Sequence, residues 1–253
     1  MRFPFPVSRF PLFSRHTFAR GVHPDAHKST AGSPIRRMPF ASRMILPLAQ
    51  HIGKPAVPLV RAGQEVIRGQ PIARAEGFLS VPIHAPADGV VEAIELKPSA
   101  RGPMVECIVL RVYEASTQEI RWSEPRDLDA LSPKELIQAI QDTGMVGLGG
   151  ATFPSHAKLS VPAEHKIHTL IVNGCECEPY LTCDHKLMRE HPDDLMTGAR
   201  LAMRAIGAER AIIGVEDNKL DAVEAIRRCL PADGSITLQV VPTKYPQGAE
   251  KQL

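Results

Sequence analysis

Aromatic side chains are scarce in this chain: one Trp, three Tyr and eight Phe among 253 residues. That supply is too small for the stacking platforms that single-stranded nucleic acid requires. An excess of one charge is also missing. Thirty Lys and Arg stand against 28 Asp and Glu, a formal net charge of +2, so no strong field for nucleic acid is expected. No apolar run approaches the roughly 20 residues that cross a bilayer. The cleanest runs, such as Ala211 to Val215, are strand-sized. Any work at a membrane is therefore expected to be peripheral, by docking on something else. The N-terminus carries Arg and Phe, but Pro4, Pro6 and Pro11 interrupt it, so it does not read as a signal peptide. A disulfide framework is lacking too. There are five Cys, three of them crowded at Cys175, Cys177 and Cys183, which suits a reducing compartment.

What is present falls into four stretches. Residues 1–43 are rich in Pro, Arg, Phe and Ser without periodicity and read as an extended arm. Its basic residues face either an acidic partner or solvent. Residues 44–113 alternate short β-prone pieces with Gly and Pro turn signals, the pattern of a small all-β unit. Residues 114–130 read as a linker, and residues 131–253 as an α/β domain.

Two phrases in the β stretch stand out. Val60 to Ala73 is a strand, a turn and a strand; His84 to Val91 is a second turn entering a strand. Together they resemble the barrel-sandwich hybrid of biotinyl and lipoyl domains. Those carriers hold their cofactor arm on a Lys between the two phrases. The corresponding segment here, Arg74 to Ile83, contains no Lys. An amide-linked arm needs a primary amine, so a structural or docking role is expected instead.

In the α/β stretch, Ser132-Pro133-Lys134-Glu135 opens a helix that runs to about Gln141 or Asp142 and closes at Gly144. Strands are expected at Thr169–Asn173, Arg210–Val215 and Ser235–Val241, and helices at Pro192–Ile206 and Lys219–Cys229. Alternation of this kind implies a parallel sheet with crossover helices. Glu216 and Asp217 follow a strand, where such sheets bind ligands, but a turn or a cap fits equally well.

The chemistry is expected at Gly147-Leu148-Gly149-Gly150-Ala151-Thr152-Phe153-Pro154. Glycines let a backbone approach a ligand, N–H groups at a helix start attract phosphate, and Lys158 supplies a countercharge. The spacing is not the Gly-x-Gly-x-x-Gly of a dinucleotide fingerprint, and the loop follows a helix rather than a strand. On the residues alone, a plain tight turn stands beside a phosphate cradle.

A longer pattern shifts that balance. Val146 to Leu159, then Thr169-Leu170-Ile171-Val172-Asn173-Gly174-Cys175-Glu176-Cys177-Glu178-Pro179-Tyr180, then Tyr245-Pro246-Gln247-Gly248-Ala249-Glu250 resemble the RnfC (RsxC) subunit of the Rnf ion-translocating ferredoxin:NAD oxidoreductase. More distantly they resemble the NADH-binding flavoprotein subunit of respiratory complex I. Phe18 to Pro24 and the half-barrel at 44–113 extend the likeness over most of the chain. The fold implied is a barrel-sandwich hybrid followed by a Rossmann-like nucleotide-binding domain, incomplete at the C-terminus.

The resemblance implies FMN and NAD(H) as cofactors. It places Gly147, Gly149, Gly150 and Lys158 around the FMN phosphate and ribityl chain, and Asn173, Glu176 and Gly248 in the flavin region. Ala151, Phe153, Glu178, Tyr245 and Glu250 would lie on the NADH side. Leu148 and Cys175 depart from the complex I pattern, which has a basic residue and Asp there. The partners implied are the other members of a membrane complex and a ferredoxin-like electron carrier, at the cytoplasmic face of the bacterial inner membrane. Relatives carry two Cys-rich runs for [4Fe–4S] clusters; no such run occurs here, so an N-terminal portion is expected.

Two other readings remain. One is a non-catalytic docking module for membrane partners. The other is a zinc site at Cys175, Cys177 and Cys183 with His185 or His191, although the spacing is not that of a common zinc knuckle. Four other histidines, His51, His84, His156 and His168, are isolated and read as packing residues.

Overall fold

The computed structural model describes residues 18, 20–100, 102–122, 126–149, 152–162 and 164–253. The chain forms two compact units. One comprises residues 36–167 with 204–207. The other joins the described residues up to 35 with 168–203 and 208–253.

The first unit is built on two small antiparallel sheets. Strands β1 (Arg43–Pro47), β7 (Met104–Val112), β6 (Gly89–Pro98) and β3 (Glu65–Val66) form one, in that order. Strands β2 (Val57–Pro58), β4 (Pro71–Arg74) and β5 (Ile83–His84) form the other. Their inner faces share a core that includes Leu48, Val66, Ile72, Val91, Ile108 and Leu110. The turn into β6 is organised by Asp88, which is buried. It accepts the Arg68 N–H at 2.6 Å, the Ser116 hydroxyl at 2.5 Å and Arg121 at 2.9 Å. These bonds, the Ser116 hydroxyl first, hold its carboxyl below the usual range. Gly89 follows because a Cβ there would lie 2.2 Å from the Arg111 carbonyl oxygen on β7.

Two helices complete this unit. In α1 (Pro133–Asp142) the Ser132 side chain accepts from Glu135 N–H while the Glu135 carboxylate accepts from Ser132 N–H, and Pro133 occupies the first turn. Helix α2 (Ser155–Leu159) is a single short turn. The sequence pattern places both in the α/β domain at 131–253. By compactness, however, residues 131–167 lie with the β sheets.

The second unit is a parallel sheet in the order β10 (Ile236–Val241), β9 (Arg210–Glu216), β8 (Thr169–Gly174). Helices α3 (Cys183–Glu190), α4 (Pro192–Ile206) and α5 (Leu220–Cys229) are the crossovers. Met188, Met196, Ala199, Ile213, Val215, Val223 and Ile226 pack its core. Helix α3 is not expected from the sequence, because Cys183-Asp-His-Lys-Leu-Met-Arg-Glu offers only Leu187 and Met188 as aliphatic positions. The described part of the expected arm is not free. Residues 20–35 are bonded to this unit, beginning with a paired bridge between Val22 and Tyr245. Arg2, Arg9 and Arg15 lie outside the described residues.

Candidate functional site

The glycine loop is a hairpin. Val146 bridges Pro154, Gly147 N–H donates to the Phe153 carbonyl at 2.9 Å, and Ser155 N–H donates to Met145 at 3.0 Å. The tip projects: Leu148 is 84% exposed and Gly149 has open space where a side chain would be. Thr152 takes φ +52°, a left-handed conformation that a Thr rarely adopts. Gly150 and Ala151 lie outside the described residues. A Cβ on Gly147 would stand 2.5 Å from Lys158 Nζ. The missing side chain is what lets the ammonium fold over the loop. The Gly147 N–H itself is used inside the hairpin, so it is not a free donor for a phosphate.

What holds this hairpin in place is the segment between β4 and β5, where carrier domains keep their Lys. Lys54 N–H donates to the Leu79 carbonyl at 3.0 Å, and Gln141 Nε2 donates to Ser80 at 3.0 Å. His156 Nε2 donates to Phe78 at 2.7 Å, with the two rings edge to face. His51 accepts Val81 N–H at 3.2 Å through Nε2 while its Nδ1 donates to Ile52. The tip that carries a swinging arm elsewhere is thus a clamp on α1 and α2. These bonds explain why residues 131–167 belong with the β sheets. They also settle His51 and His156 as packing residues, and show them to be anchors as well.

The other predicted residues gather at the C-terminal end of β8, in the second unit. Asn173 Nδ2 donates to the Gly248 carbonyl at 2.7 Å, and its Oδ1 accepts Cys175 N–H at 3.1 Å. One hydrogen and one lone pair of its amide stay available. Gly248 N–H reaches Cys177 Sγ at 3.4 Å, and a Cβ on Gly248 would lie 2.3 Å from the Cys175 carbonyl oxygen. The β8 end and the Tyr245–Glu250 segment are therefore in direct backbone contact. Glu178, Tyr245 and Glu250 present exposed side chains.

Glu176 behaves differently from the expectation that it bonds the flavin. It is 2% exposed, and its Oε1 accepts Asp184 N–H at 2.8 Å in the first turn of α3. Thr182, the residue before that helix, makes no capping bond of its own, so Glu176 caps α3 from upstream. Beside it lies a buried charge pair: Lys219 Nζ meets Glu216 Oε2 at 2.6 Å, with side chains 2% and 0% exposed. The same ammonium also reaches Asn218 Oδ1 at 2.8 Å and the Glu176 carbonyl at 3.4 Å. Asp217 accepts Thr243 N–H and its hydroxyl. The strand-end acids at 216 and 217 thus shape a turn. Two residues of this region give no signal in the sequence. Lys219 is one, since a Lys after a strand is unremarked; Lys28, in the N-terminal arm, is the other.

The three thiols do not converge. Cys175 is buried beside Glu216, Cys177 turns to Gly248, and Cys183 Sγ lies 3.5 Å from Glu176 Oε1. Among the described residues, the group close enough to share an ion is Glu176, Cys183 and Asp184, and not the Cys175, Cys177 and Cys183 of the alternative zinc reading. Burial, and then the Glu216 charge, push the Cys175 thiol from its ordinary 9.0 up to about 12. Between those values the unfolded chain loses this proton while the folded chain keeps it. Stability is therefore present below pH 9 and falls as pH rises above it. In urea unfolding, the stability difference between wild type and Cys175→Ala is expected to narrow above pH 9, with a slope approaching about 1.4 kcal/mol per pH unit. A constant difference would contradict this.

The chain thus combines a carrier-like β module without a carrier Lys, a glycine hairpin and a parallel α/β sheet, features that also occur in nucleotide-binding chains. Similarity to known proteins is more specific. Residues 16–114 match the family described as the RnfC barrel sandwich hybrid domain, and residues 140–253 match the Nuo51 FMN-binding domain. The chain is 41% identical over 243 residues to the C subunit of the Na(+)-translocating ferredoxin:NAD(+) oxidoreductase complex of Acetobacterium woodii, covering 94% of this chain and 54% of that one. It is 40% identical over 260 residues to the C subunit of the ion-translocating oxidoreductase complex of Rhodobacter capsulatus, covering 100% and 49%. The corresponding protein of Haemophilus influenzae (strain PittEE) is 38% identical over 251 residues, at 98% and 38%. Over nearly its whole length the chain is similar to RnfC-type subunits, with its first part matching their barrel sandwich hybrid domain. It spans about half, or less, of the length of these relatives.

Proposed function

We propose that this chain is the FMN-binding, NADH-facing part of the RnfC subunit of an ion-translocating ferredoxin:NAD+ oxidoreductase. The observation that carries the reading is the Gly147–Lys158 arrangement: an ammonium seated where a side chain is missing, above a projecting hairpin. That donor set suits the phosphate end of FMN. Gly147, Gly149, Gly150 and Lys158 are assigned to phosphate and ribityl chain, and Asn173, through the amide hydrogen and lone pair it leaves free, to the flavin region together with the adjoining Gly248. Glu176 is assigned a supporting role, because its carboxylate points inward. Ala151, Phe153, Glu178, Tyr245 and Glu250 are assigned to NADH.

When bound, a flavin accepts a hydride from nicotinamide and passes electrons on singly. The protein's part is to bind, orient and shield. No side-chain general base is required of it. [4Fe–4S] clusters are proposed for the length of the family that this chain does not span. Docking on the membrane-embedded members of the complex, as a peripheral protein at the cytoplasmic face of the inner membrane, and exchange with a ferredoxin-like partner belong to the same proposal. No helix among the described residues is long and apolar enough to cross a membrane.

The test is a fluorescence titration with FMN and with riboflavin, which lacks the phosphate. Wild type is expected to prefer FMN. Lys158→Ala is expected to weaken FMN binding by about tenfold, the loss of one charge-assisted bond, and to leave riboflavin unchanged. Equal affinity of wild type for the two ligands would remove the phosphate-cradle reading.

A further inference from the structure

Beyond Pro24 the segment 22–35 carries no signal in the sequence, yet it contacts both stretches of the second unit that are assigned to the nucleotide. Its centre is Lys28. The Lys28 ammonium donates to the carbonyls of Glu176 at 2.9 Å, Glu178 at 2.9 Å and Leu181 at 2.6 Å. An ammonium has three hydrogens, and all three are used on this one loop. Its charge also lies 3.8 Å from Glu176 Oε2, which has no hydrogen-bond partner of its own. Lys28 is largely covered, with 18% of its side chain exposed. In that setting a charge-assisted bond is stronger than at an open surface.

Neighbouring residues continue the pattern. Tyr180 N–H donates to the Ala26 carbonyl at 3.0 Å, and the His27 and Tyr180 rings stack at 4.8 Å and 9°. The Thr30 and Thr182 hydroxyls lie 2.7 Å apart. Val22 and Tyr245 exchange both backbone hydrogen bonds, at 2.9 and 2.8 Å. The loop from Cys177 to Leu181 has little other regular structure to fix it, since β8 ends at Gly174 and α3 begins at Cys183. Three carbonyls turned toward one point would repel one another without a cation among them.

We infer that Lys28 is a positioning residue for the nicotinamide-nucleotide side of the site. It acts as a built-in cation that gathers the 176–181 carbonyls and so sets the direction of the Glu178 and Tyr180 side chains. This rests on the assignment of Glu178 to NADH. On this inference Lys28 touches no ligand. The phosphate cradle at Lys158 is a separate arrangement and does not depend on it.

The experiment uses the whole 253-residue chain as wild type, Lys28→Met and Lys28→Arg. Three quantities are measured: FMN affinity, NAD+ affinity by calorimetry, and hydrogen exchange of the amides from 177 to 182. Lys28→Met is expected to weaken NAD+ binding about tenfold and FMN binding by less than about threefold, the scale of losing charged hydrogen bonds at one end only. Its 177–182 amides are expected to exchange at least about tenfold faster, while those of β9 keep their protection. Lys28→Arg, which keeps the charge, is expected to restore part of both. Unchanged exchange at 177–182 in Lys28→Met would overturn the inference, and so would a loss of FMN and NAD+ affinity in equal measure. If wild type binds neither ligand, the functional reading fails by itself. The exchange measurement then still decides whether Lys28 organises the loop.

Discussion

Replacing Lys219 with Met is expected to destabilise the protein by about 3–5 kcal/mol, the cost of stranding one member of a buried ion pair. The partner left behind is the Glu216 carboxylate, fully buried at the end of β9, with one oxygen already lacking a hydrogen-bond partner. Met nearly matches the Lys stem in volume, so lost packing is a minor part of the effect. The Asn218 side chain and the Glu176 carbonyl lose a donor as well. Urea unfolding of the single variant, followed by far-UV dichroism, gives the loss directly. The double variant Glu216→Leu with Lys219→Met is expected to regain most of it, because two apolar groups need no partner. If the single variant is as stable as wild type, the pair is not dry, and water must reach Glu216. If the double variant is no better than the single one, the cost lies in the Asn218 and Glu176 contacts instead.

This pair also shows where sequence reading reaches its limit. Helix α4 was legible to the residue, because Pro192 opens it, Asp193 and Asp194 occupy its first turn, and Leu195, Met196 and Ala199 recur on one face. Helix α1 was legible from its Ser-Pro-x-Glu start. Strand β9 was legible as a short run of β-branched residues. All of these signals are local. The features that position the candidate site are not. Glu176 reads as an acid after a strand, a common ligand position; its inward turn depends on Lys28, 148 positions earlier, and on the start of α3. Helix α3 has too few aliphatic side chains to announce itself and draws its stability from Glu176 and from packing on α5. The Cys175, Cys177 and Cys183 spacing suggested a metal because spacing carries no direction; each thiol follows its own strand, loop or helix to a different neighbour. The missing Lys between β4 and β5 was legible as a loss of carrier function. What replaced it, a clamp on α1 and α2, was not.

The clamp makes the second large prediction. Gly53→Ala is expected to destabilise the first unit by on the order of 4 kcal/mol, combining backbone strain with a forced contact. Gly53 has φ +113°, a region closed to side chains, and a Cβ there would sit 1.9 Å from the Leu79 carbonyl oxygen. That carbonyl accepts the N–H of Lys54, so the collision falls on the bond that seats the hairpin tip. Gly63→Ala is the internal control. Gly63 also has positive φ, at +81°, but has open space around it, so it carries strain of about 1 kcal/mol without the collision. A shifted tip also moves the Phe78 and Ser80 carbonyls away from His156 and Gln141, and with them the short helix that carries Lys158. Gly53→Ala is thus expected to lower FMN affinity under conditions where the variant is still folded, whereas Gly63→Ala leaves it unchanged. Equal stability losses in the two variants would show that the tip yields freely. Unchanged FMN affinity in Gly53→Ala would separate the clamp from the phosphate cradle.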